Sequence, residues 1–379
     1  MLFDPNKIND SYDRCIYYKV GNQRTTSKIL ALEWANGDMN QISFHWNEAE
    51  SDQINWIVEP TESMESLIDR TVQRIRSQHN KVNLFYSAGY DSQTIYEAFR
   101  RNNLKIDRFI LWRREWYKGY SDIEFNTALE SAKWIKQHVW PGLEIVTVEW
   151  RIKDSNAWYR NLREDWIYHV GSMIKFSKHS RELIYTYNDD VQKAVLNHSN
   201  TITINGHEKS KLDICDGNWY VTHFDSSFFT EMHDPCLQFF YIPEIYLKQS
   251  WMTIRWMESL PNFTVDLLHK IQSHDAGPTI YRDYSLAMGR TMVWHKFNEG
   301  GQGKFMWTHP DPRKVPESIE FLKQASVDSP DVVGYYDRGL NYIQQKFGHL
   351  IEAHGNLPGI FSKKYFVKKL ELSAQNPQI

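Results

Sequence analysis

Val82-Asn-Leu-Phe-Tyr-Ser-Ala-Gly-Tyr-Asp-Ser92 is the stretch on which the reading of this chain turns. Its first half is apolar and strand-like, its second half is a turn of small residues, and residues 93–102 follow as a helix. A strand that feeds a helix through so tight a turn gathers backbone N–H groups and hydroxyls at the positive helix end, where a phosphate or pyrophosphate is held. Gly89 allows close backbone approach and can take a positive φ. Ser87 and Ser92 supply hydroxyl donors, and the first N–H groups of the helix are unpaired by construction. Such an end contributes up to about 2 kcal/mol toward an anion in a partly buried geometry, and charge-assisted bonds add to that. Asp91 looks misplaced among groups suited to phosphate, unless a Mg²⁺ sits between its carboxylate and nucleotide oxygens. The plainer alternative is that Asp91 or Ser92 only caps the helix.

Outward from this stretch the chain alternates. Before it, residues 60–63 read as a helix start, and Met64, Leu67, Ile68, Val72 and Ile75 make one apolar stripe at helical spacing. After it come a strand at 105–112, a helix at 121–138, a strand at 143–150, a helix at 157–178 and a strand at 201–204. Strands alternating with helices predict an α/β fold, a parallel sheet sandwiched by helices. Ligands of such sheets bind beyond the carboxyl ends of the strands, which is where residues 87–92 and 205–211 fall. Residues 12–58 read as β-rich, with short runs at 15–20, 28–34 and 42–46 parted by Gly21-Asn22 and Asn36-Gly37-Asp38. Past residue 225 the alternation stops. Residues 237–260, broken at Pro243, and 262–274 read as helical, with a loop at 298–304, a Pro-rich stretch at 308–316 and one or two further helices. The expected division is therefore 1–60, a small β-rich segment; 61–225, the α/β domain; and 226–379, a mainly helical region.

Composition removes several function classes. With net charge −3 the chain has no global field pulling it toward nucleic acid or anionic lipid. The 15 Trp, 21 Tyr and 19 Phe more often build cores and interfaces than stack on bases. No apolar run is long enough to cross a bilayer, and the opening residues lack the order of a signal peptide. Cys15, Cys215 and Cys236 are too few for a disulfide framework, so a cytoplasmic setting is expected. Gly301-Gln-Gly-Lys-Phe lacks the Ser or Thr of a Walker loop. His233 and Cys236 have ligand spacing, but no second pair completes a metal site.

Ser87, Gly89, Asp91 and Ser92 stand at Ser-x-Gly-x-Asp-Ser spacing, which resembles the pyrophosphate (PP) loop of the N-type ATP pyrophosphatase superfamily. That family includes asparagine, GMP and NAD synthetases. The resemblance implies an adenine nucleotide alpha hydrolase-like fold, with ATP and Mg²⁺ as cofactors, Asp91 as metal ligand, and cleavage of ATP to AMP and pyrophosphate. Ser87, Ala88, Gly89, Tyr90, Asp91 and Ser92 would hold the phosphates, and Leu111 and Trp112 would lie near the adenine. The family's usual loop has two consecutive glycines, and Ala88 replaces the first.

Ile202-Thr-Ile-Asn-Gly-His-Glu-Lys-Ser-Lys211 is similar to the second signature loop of asparagine synthetase-like proteins, although their Gly-x-Gly-Ala-Asp-Glu is not reproduced. On that resemblance Gly206 faces the nucleotide, Lys209 or Lys211 neutralises leaving pyrophosphate, and Glu208 or Asp213 holds metal. A charged hairpin turning at Asn-Gly is the alternative. Residues 54–60, 239–249 and 281–290 look like pieces of phage-encoded asparagine synthetase-like proteins, and they add Lys248 and Arg290 as candidate catalytic cations. The chain has no Cys-x-x-Cys, which argues against the zinc and sulfur-transfer branches. Leu2 follows Met1, so the nucleophilic cysteine of a built-in glutaminase is missing, and ammonia would arrive free or from a supplying partner. A homo-oligomer is compatible with all of this.

Three functions follow. The first is an adenylating synthetase that activates a carboxylate or carbonyl for attack by an amine or ammonia. The second is a base-modifying enzyme on nucleic acid, motivated by Arg100, Arg101, Arg108, Arg113 and Arg114. The third is a non-catalytic nucleotide-binding protein.

Overall fold

A computed structural model describes residues 16–25, 27–46, 48–114, 120–150, 167–168, 200–206, 211–223, 225, 236–273, 276–290, 330–351 and 357–371. At the N-terminal side β1 (Ile16–Val20) pairs antiparallel with β2 (Gln23–Thr25) and, across its other edge, with β3 (Ile42–Trp46). The run expected as a strand at 28–34 is instead a helix, α1 (Lys28–Trp34). Ser27 caps it, its hydroxyl accepting from the Leu30 amide at 3.2 Å, and Lys28, Ile29, Ala31 and Leu32 are buried. A cap and a one-sided apolar face outweigh strand-like composition. A short helix, α2 (Glu48–Ser51), follows.

α3 (Met64–Gln78) starts at Ser63, whose side chain accepts from Ser66, and it buries the expected stripe of Met64, Leu67, Ile68, Val72 and Ile75. The chain then runs through β4 (Lys81–Phe85), α4 (Tyr90–Arg101), β5 (Arg108–Arg114), α5 (Tyr120–His138), β6 (Glu144–Trp150) and β7 (Thr201–Asn205). An antiparallel hairpin comes next, β8 (Lys211–Cys215) and β9 (Asn218–Thr222), and then β10 (Cys236–Gln238). Five of these strands form one parallel sheet in the order β10-β7-β4-β5-β6. β4 lies at its centre. Successive strands add first on one side of β4 and then on the other, so the direction of winding reverses beside β4. Val82, Leu84, Phe109, Leu111 and Ile204 from the sheet pack with Ile95, Phe99, Ala128 and Ile135 from α4 and α5 in one core. Asn83, buried in the central strand, donates to the Thr203 hydroxyl of β7 at 3.2 Å.

β10 extends the parallel sheet beyond residue 225, where the alternation was expected to stop. Pro243 is the first residue of α6 (Pro243–Glu258) rather than a break within a helix, because proline is tolerated where no N–H is needed. α7 (Val265–Ser273) and α8 (Pro278–Ala287) follow, then α9 (Pro330–Phe347) and β11 (Tyr365–Lys369). β11 pairs with β9, giving a small antiparallel sheet in the order β11-β9-β8. Trp219, Val221, Tyr365 and Val367 of this sheet share a second core with Ile254, Met257, Leu268 and Tyr284 of the helices. The C-terminal region is thus mainly helical, and its strand β11 joins the β8–β9 hairpin, which precedes residue 226, in a shared sheet. The helix expected at 157–178 lies outside the described residues apart from Ile167 and Tyr168, and the loop at 298–304, the Pro-rich stretch at 308–316 and His233 lie outside them too.

The two ends of the described chain are tied by a sealed polar cluster. The Lys28 ammonium, 1% exposed, pairs with Asp225 Oδ2 at 2.9 Å and donates to the Pro358 carbonyl. The Tyr18 hydroxyl donates to the same carboxylate oxygen at 2.8 Å, and the Ile360 amide donates to Oδ1 at 3.0 Å. No described helix is long and apolar enough to cross a membrane.

Candidate functional site

The loop leaves β4 through Tyr86, whose amide still bonds the Ile110 carbonyl of β5 at 3.0 Å. The Tyr86 ring stacks on Phe109, with centroids 4.2 Å apart. Its hydroxyl bonds Ser131 of α5 and receives the Gln93 amide of α4, both at 2.6 Å. Burial pushes that hydroxyl's pKa well above the usual tyrosine value, so it stays protonated. Tyr86 therefore fixes strand, loop and both flanking helices to one another. Sequence reading passed over Tyr86, Gln93 and Ser131, although the first two lie inside or beside the motif.

After this anchor the chain turns at Ala88, with φ +53°, while Gly89 is extended at φ −93°, ψ 173°. The left-handed residue is thus Ala88, and Gly89 does not use the positive φ open to it. An L-residue there costs roughly 1–2 kcal/mol. The turn is held against that cost by local bonds. Ser92 Oγ accepts from the Ser87 amide at 3.3 Å and donates to the Gly89 carbonyl at 3.2 Å, and the Gln93 amide donates to the same carbonyl at 2.9 Å.

Gly89 is the residue preceding α4, and no side chain caps the helix there. Ser92 braces the turn instead, and Asp91, in the first turn, directs its Oδ1 to the Arg290 guanidinium, Nε at 3.5 Å. The simple capping alternative is therefore not what forms. An uncapped helix end at the carboxyl end of the central strand, beside the point where the winding reverses, is the crevice in which open parallel sheets bind ligands.

The second sequence element meets the first. Gly206 closes β7, and a Cβ placed on it would lie 2.9 Å from Ile95 Cδ1 and 3.2 Å and 3.3 Å from the backbone carbon and Cβ of Asp91. Asn205-Gly206 does not turn a hairpin, since β7 belongs to the parallel sheet and β8 to the small antiparallel one. Glu208 and Lys209 lie outside the described residues. Asp213 is paired with Lys364 at 2.6 Å, and Lys211 lies in β8.

Of the two other proposed cations, the structure brings only Arg290 to the loop. It follows α8, is 1% exposed, donates to Gln249 Oε1 of α6 at 2.8 Å and lies over the Phe240 ring. Lys248 points its ammonium to Glu59 Oε1 at 2.6 Å and to the Pro60 carbonyl at 2.9 Å. Glu59 also binds Arg255. Burial raises the Glu59 pKa, but the bonds from Lys248 and Arg255 outweigh it and hold the carboxyl below its ordinary value. Lys248 is thus a strut between residues 59–60 and α6. Leu111 is buried in the core, and the Trp112 backbone pairs with Val148 of β6; the Trp112 side chain lies outside the described residues. Phe240 and Gln249 reach the site through tertiary packing; both lie in the stretch 239–249 noted for its resemblance, which pointed to Lys248 and to neither of them.

No group of three or more His, Cys, Asp or Glu that could hold a metal occurs among the described residues. Asp91 is the loop's single carboxylate, and one carboxylate is compatible with a Mg²⁺ held jointly with phosphate oxygens and water. Of the five arginines of the proposed basic patch three are ion-paired, and the side chain of Arg114 lies outside the described residues. Arg100 pairs with Glu97, Arg101 with Asp69 and Arg108 with Glu144, and Arg113 lies over the Phe125 ring. No protein-family model matches the chain, and no curated protein matches its sequence, so the reading of this site stands on its own residues.

Proposed function

We propose that this chain is an ATP pyrophosphatase-type synthetase that adenylates an acceptor carboxylate or carbonyl oxygen and passes it to an amine or ammonia. The observation that carries the reading is the uncapped α4 N-terminus at the carboxyl end of β4, closed from the other side by Gly206. The finer fold, adenine nucleotide alpha hydrolase-like, is part of the same proposal and is supported by the β10-β7-β4-β5-β6 order, with β4 at the point of reversal.

In this reading the first N–H groups of α4 and the Ser87 hydroxyl take the β- and γ-phosphates of ATP, while Ser92 braces the turn that presents them. The acceptor oxygen attacks the α-phosphorus, the α–β bridging bond breaks, and pyrophosphate leaves with the electron pair. The amine or ammonia then attacks the acyl carbon, AMP departs, and the amine loses a proton to solvent. Mg²⁺ would be held by Asp91 and would neutralise the phosphate oxygens. The loop's own contribution is position and charge, without a covalent intermediate on the protein.

Pyrophosphate release from ATP, measured with an acceptor panel, is expected in the wild type and lost in Asp91→Ala. Production of ADP and phosphate would sink the assignment. The strained turn at Ala88 favours one other reading, nucleotide binding without turnover. Saturable ATP binding with no pyrophosphate release across the panel would select it. The paired arginines give the nucleic-acid acceptor no such support.

A further inference from the structure

In β3, Ser43 and His45 alternate with buried Ile42, Phe44 and Trp46, so both side chains stand on the opposite, wetter face of the N-terminal sheet. Ser43 is exposed, and its Oγ lies 2.9 Å from His45 Nε2. Glu48, the first residue of α2, brings Oε2 to 3.0 Å from His45 Nδ1. Tyr17, opposite His45 in β1, stacks on the imidazole with centroids 4.6 Å and planes 7° apart, which fixes the ring. A carboxylate beside Nδ1 favours the tautomer protonated there and leaves the Nε2 lone pair to the Ser43 hydroxyl. That hydroxyl also reaches the Lys19 carbonyl, at 3.3 Å the longer of its two contacts. The contact of Nδ1 with Glu48 is short but too bent for a hydrogen bond, a looseness common before a substrate is bound. Lys19 stands opposite Ser43 in β1 and opposite Arg24 in β2, so two cationic side chains share the row and the face of Ser43.

We propose that Ser43, His45 and Glu48 form a second, hydrolytic site that cleaves activated esters bearing an anionic group. A nucleophile, a base within reach of it and a carboxylate facing the base make up an acyl-transfer constellation, which is recognised by geometry and role rather than by order in the chain. Ser43 Oγ attacks the ester carbonyl carbon while His45 Nε2 takes its proton. The carbon–oxygen bond to the leaving group then breaks, and the leaving oxygen takes the proton from His45. Water attacks the acyl group on Ser43, again giving a proton to His45; the acid departs and Ser43 regains its hydroxyl hydrogen. Glu48 is a positioning residue that sets the tautomer of His45, and Lys19 and Arg24 select the negative charge of the substrate. So exposed a site gives the developing oxyanion only water-screened help, which restricts it to good leaving groups such as phenolates. The reaction uses no nucleotide and is independent of the ATP reading of the loop.

The test treats the full chain with a fluorophosphonate probe, maps the adduct by mass spectrometry, and follows nitrophenol release from 4-nitrophenyl acetate and 4-nitrophenyl hydrogen succinate. The adduct is expected on Ser43, and release is expected to fall roughly a hundredfold or more in Ser43→Ala and in His45→Gln. His45→Phe, which keeps the stacking on Tyr17, replaces the glutamine variant if that protein does not fold. Wild type should cleave the succinate faster than the acetate, and the double variant Lys19→Gln, Arg24→Gln should lose that preference. The ¹⁵N spectrum of histidine-labelled protein separates the role of Glu48 from a merely structural one. The His45 signal, assigned by its loss in His45→Gln, should report protonation at Nδ1 in wild type and a shift toward Nε2 in Glu48→Gln. No adduct on Ser43, or release undiminished in Ser43→Ala, would overturn the proposal. Equal wild-type rates on the two esters would overturn the anionic substrate, and an unmoved His45 signal in Glu48→Gln would overturn the role of the carboxylate.

Discussion

Replacing Gly206 by alanine adds one methyl group where β7 meets the loop. The backbone of Gly206 is not left-handed, so alanine can adopt it, and the stiffer unfolded chain favours the variant by about 0.4–1 kcal/mol. Against that, the new Cβ falls 2.9 Å from Ile95 Cδ1, and 3.2 Å and 3.3 Å from the backbone carbon and Cβ of Asp91. Ile95 is fully buried in the core, and Asp91 belongs to the first turn of α4, so neither side yields freely. Overpacking of this kind costs about 1–3 kcal/mol. The balance is a destabilisation of roughly 0.5–2 kcal/mol. For 379 residues the unfolding entropy is about 0.8 kcal/mol per degree, so Tm falls by only about 1–3 °C. The displacement is aimed at Asp91, however, and small misplacements of a positioning group are expensive in rate. Pyrophosphate release should therefore drop by roughly tenfold or more while the protein stays folded. The assay is differential scanning calorimetry paired with single-turnover pyrophosphate release. Wild-type release at unchanged Tm would refute the idea that the β7 end packs against and positions Asp91.

Ala88→Gly relieves the left-handed strain of roughly 1–2 kcal/mol but gives up a buried methyl worth about 0.8 kcal/mol and about 0.4–1 kcal/mol of unfolded-state restriction. Stability should stay within about 1 kcal/mol of wild type, and calorimetry showing a loss above about 2 kcal/mol would mean that packing, not strain, rules at this position. His223 is fully buried between Trp46 and Tyr246, and burial lowers its pKa to about 3. Unfolded, it takes up a proton near pH 6.5, so between about pH 6.5 and 3 the unfolded chain binds more protons, and stability falls as pH is lowered, by up to about 1.4 kcal/mol per unit. Urea unfolding at pH 7.5 and 5 should show this slope reduced in His223→Phe; an equal slope in the variant would rule His223 out as its source.

What sequence reading reached was local. The strand, turn and helix around Ser87, and the stripe from Met64 to Ile75, are encoded by neighbours in the chain. α1 was misread because Ile29, Leu30 and Trp34 look strand-like when the Ser27 cap is overlooked. β10 was missed because three residues are too few for a period to show. Positive φ was open to Gly89 and costly at Ala88 by residue type, and the structure has it at Ala88, between the anchored Tyr86 and the bonds of Ser92. Arg290 was named as a candidate cation on resemblance alone. Its contact with Asp91, and the roles of Gln249 and Phe240, arise only when α6 and α8 dock.

The Lys28–Asp225 cluster sets an order of events during synthesis. Lys28 leaves the ribosome 330 positions ahead of the Pro358 carbonyl that receives its ammonium. Until residues 357–362 are made, Lys28 of α1 lacks the Pro358 carbonyl and Asp225, which follows β9, lacks the Ile360 amide on its second oxygen. Long-range closure of this kind is slow and leaves apolar surface waiting. The parallel sheet, whose strands lie between those two points, can form first. β1 and α1, translated before the parallel sheet, are thus locked after it, and a nascent chain paused before residue 357 is one in which a chaperone would still find the Lys28–Asp225 cluster open.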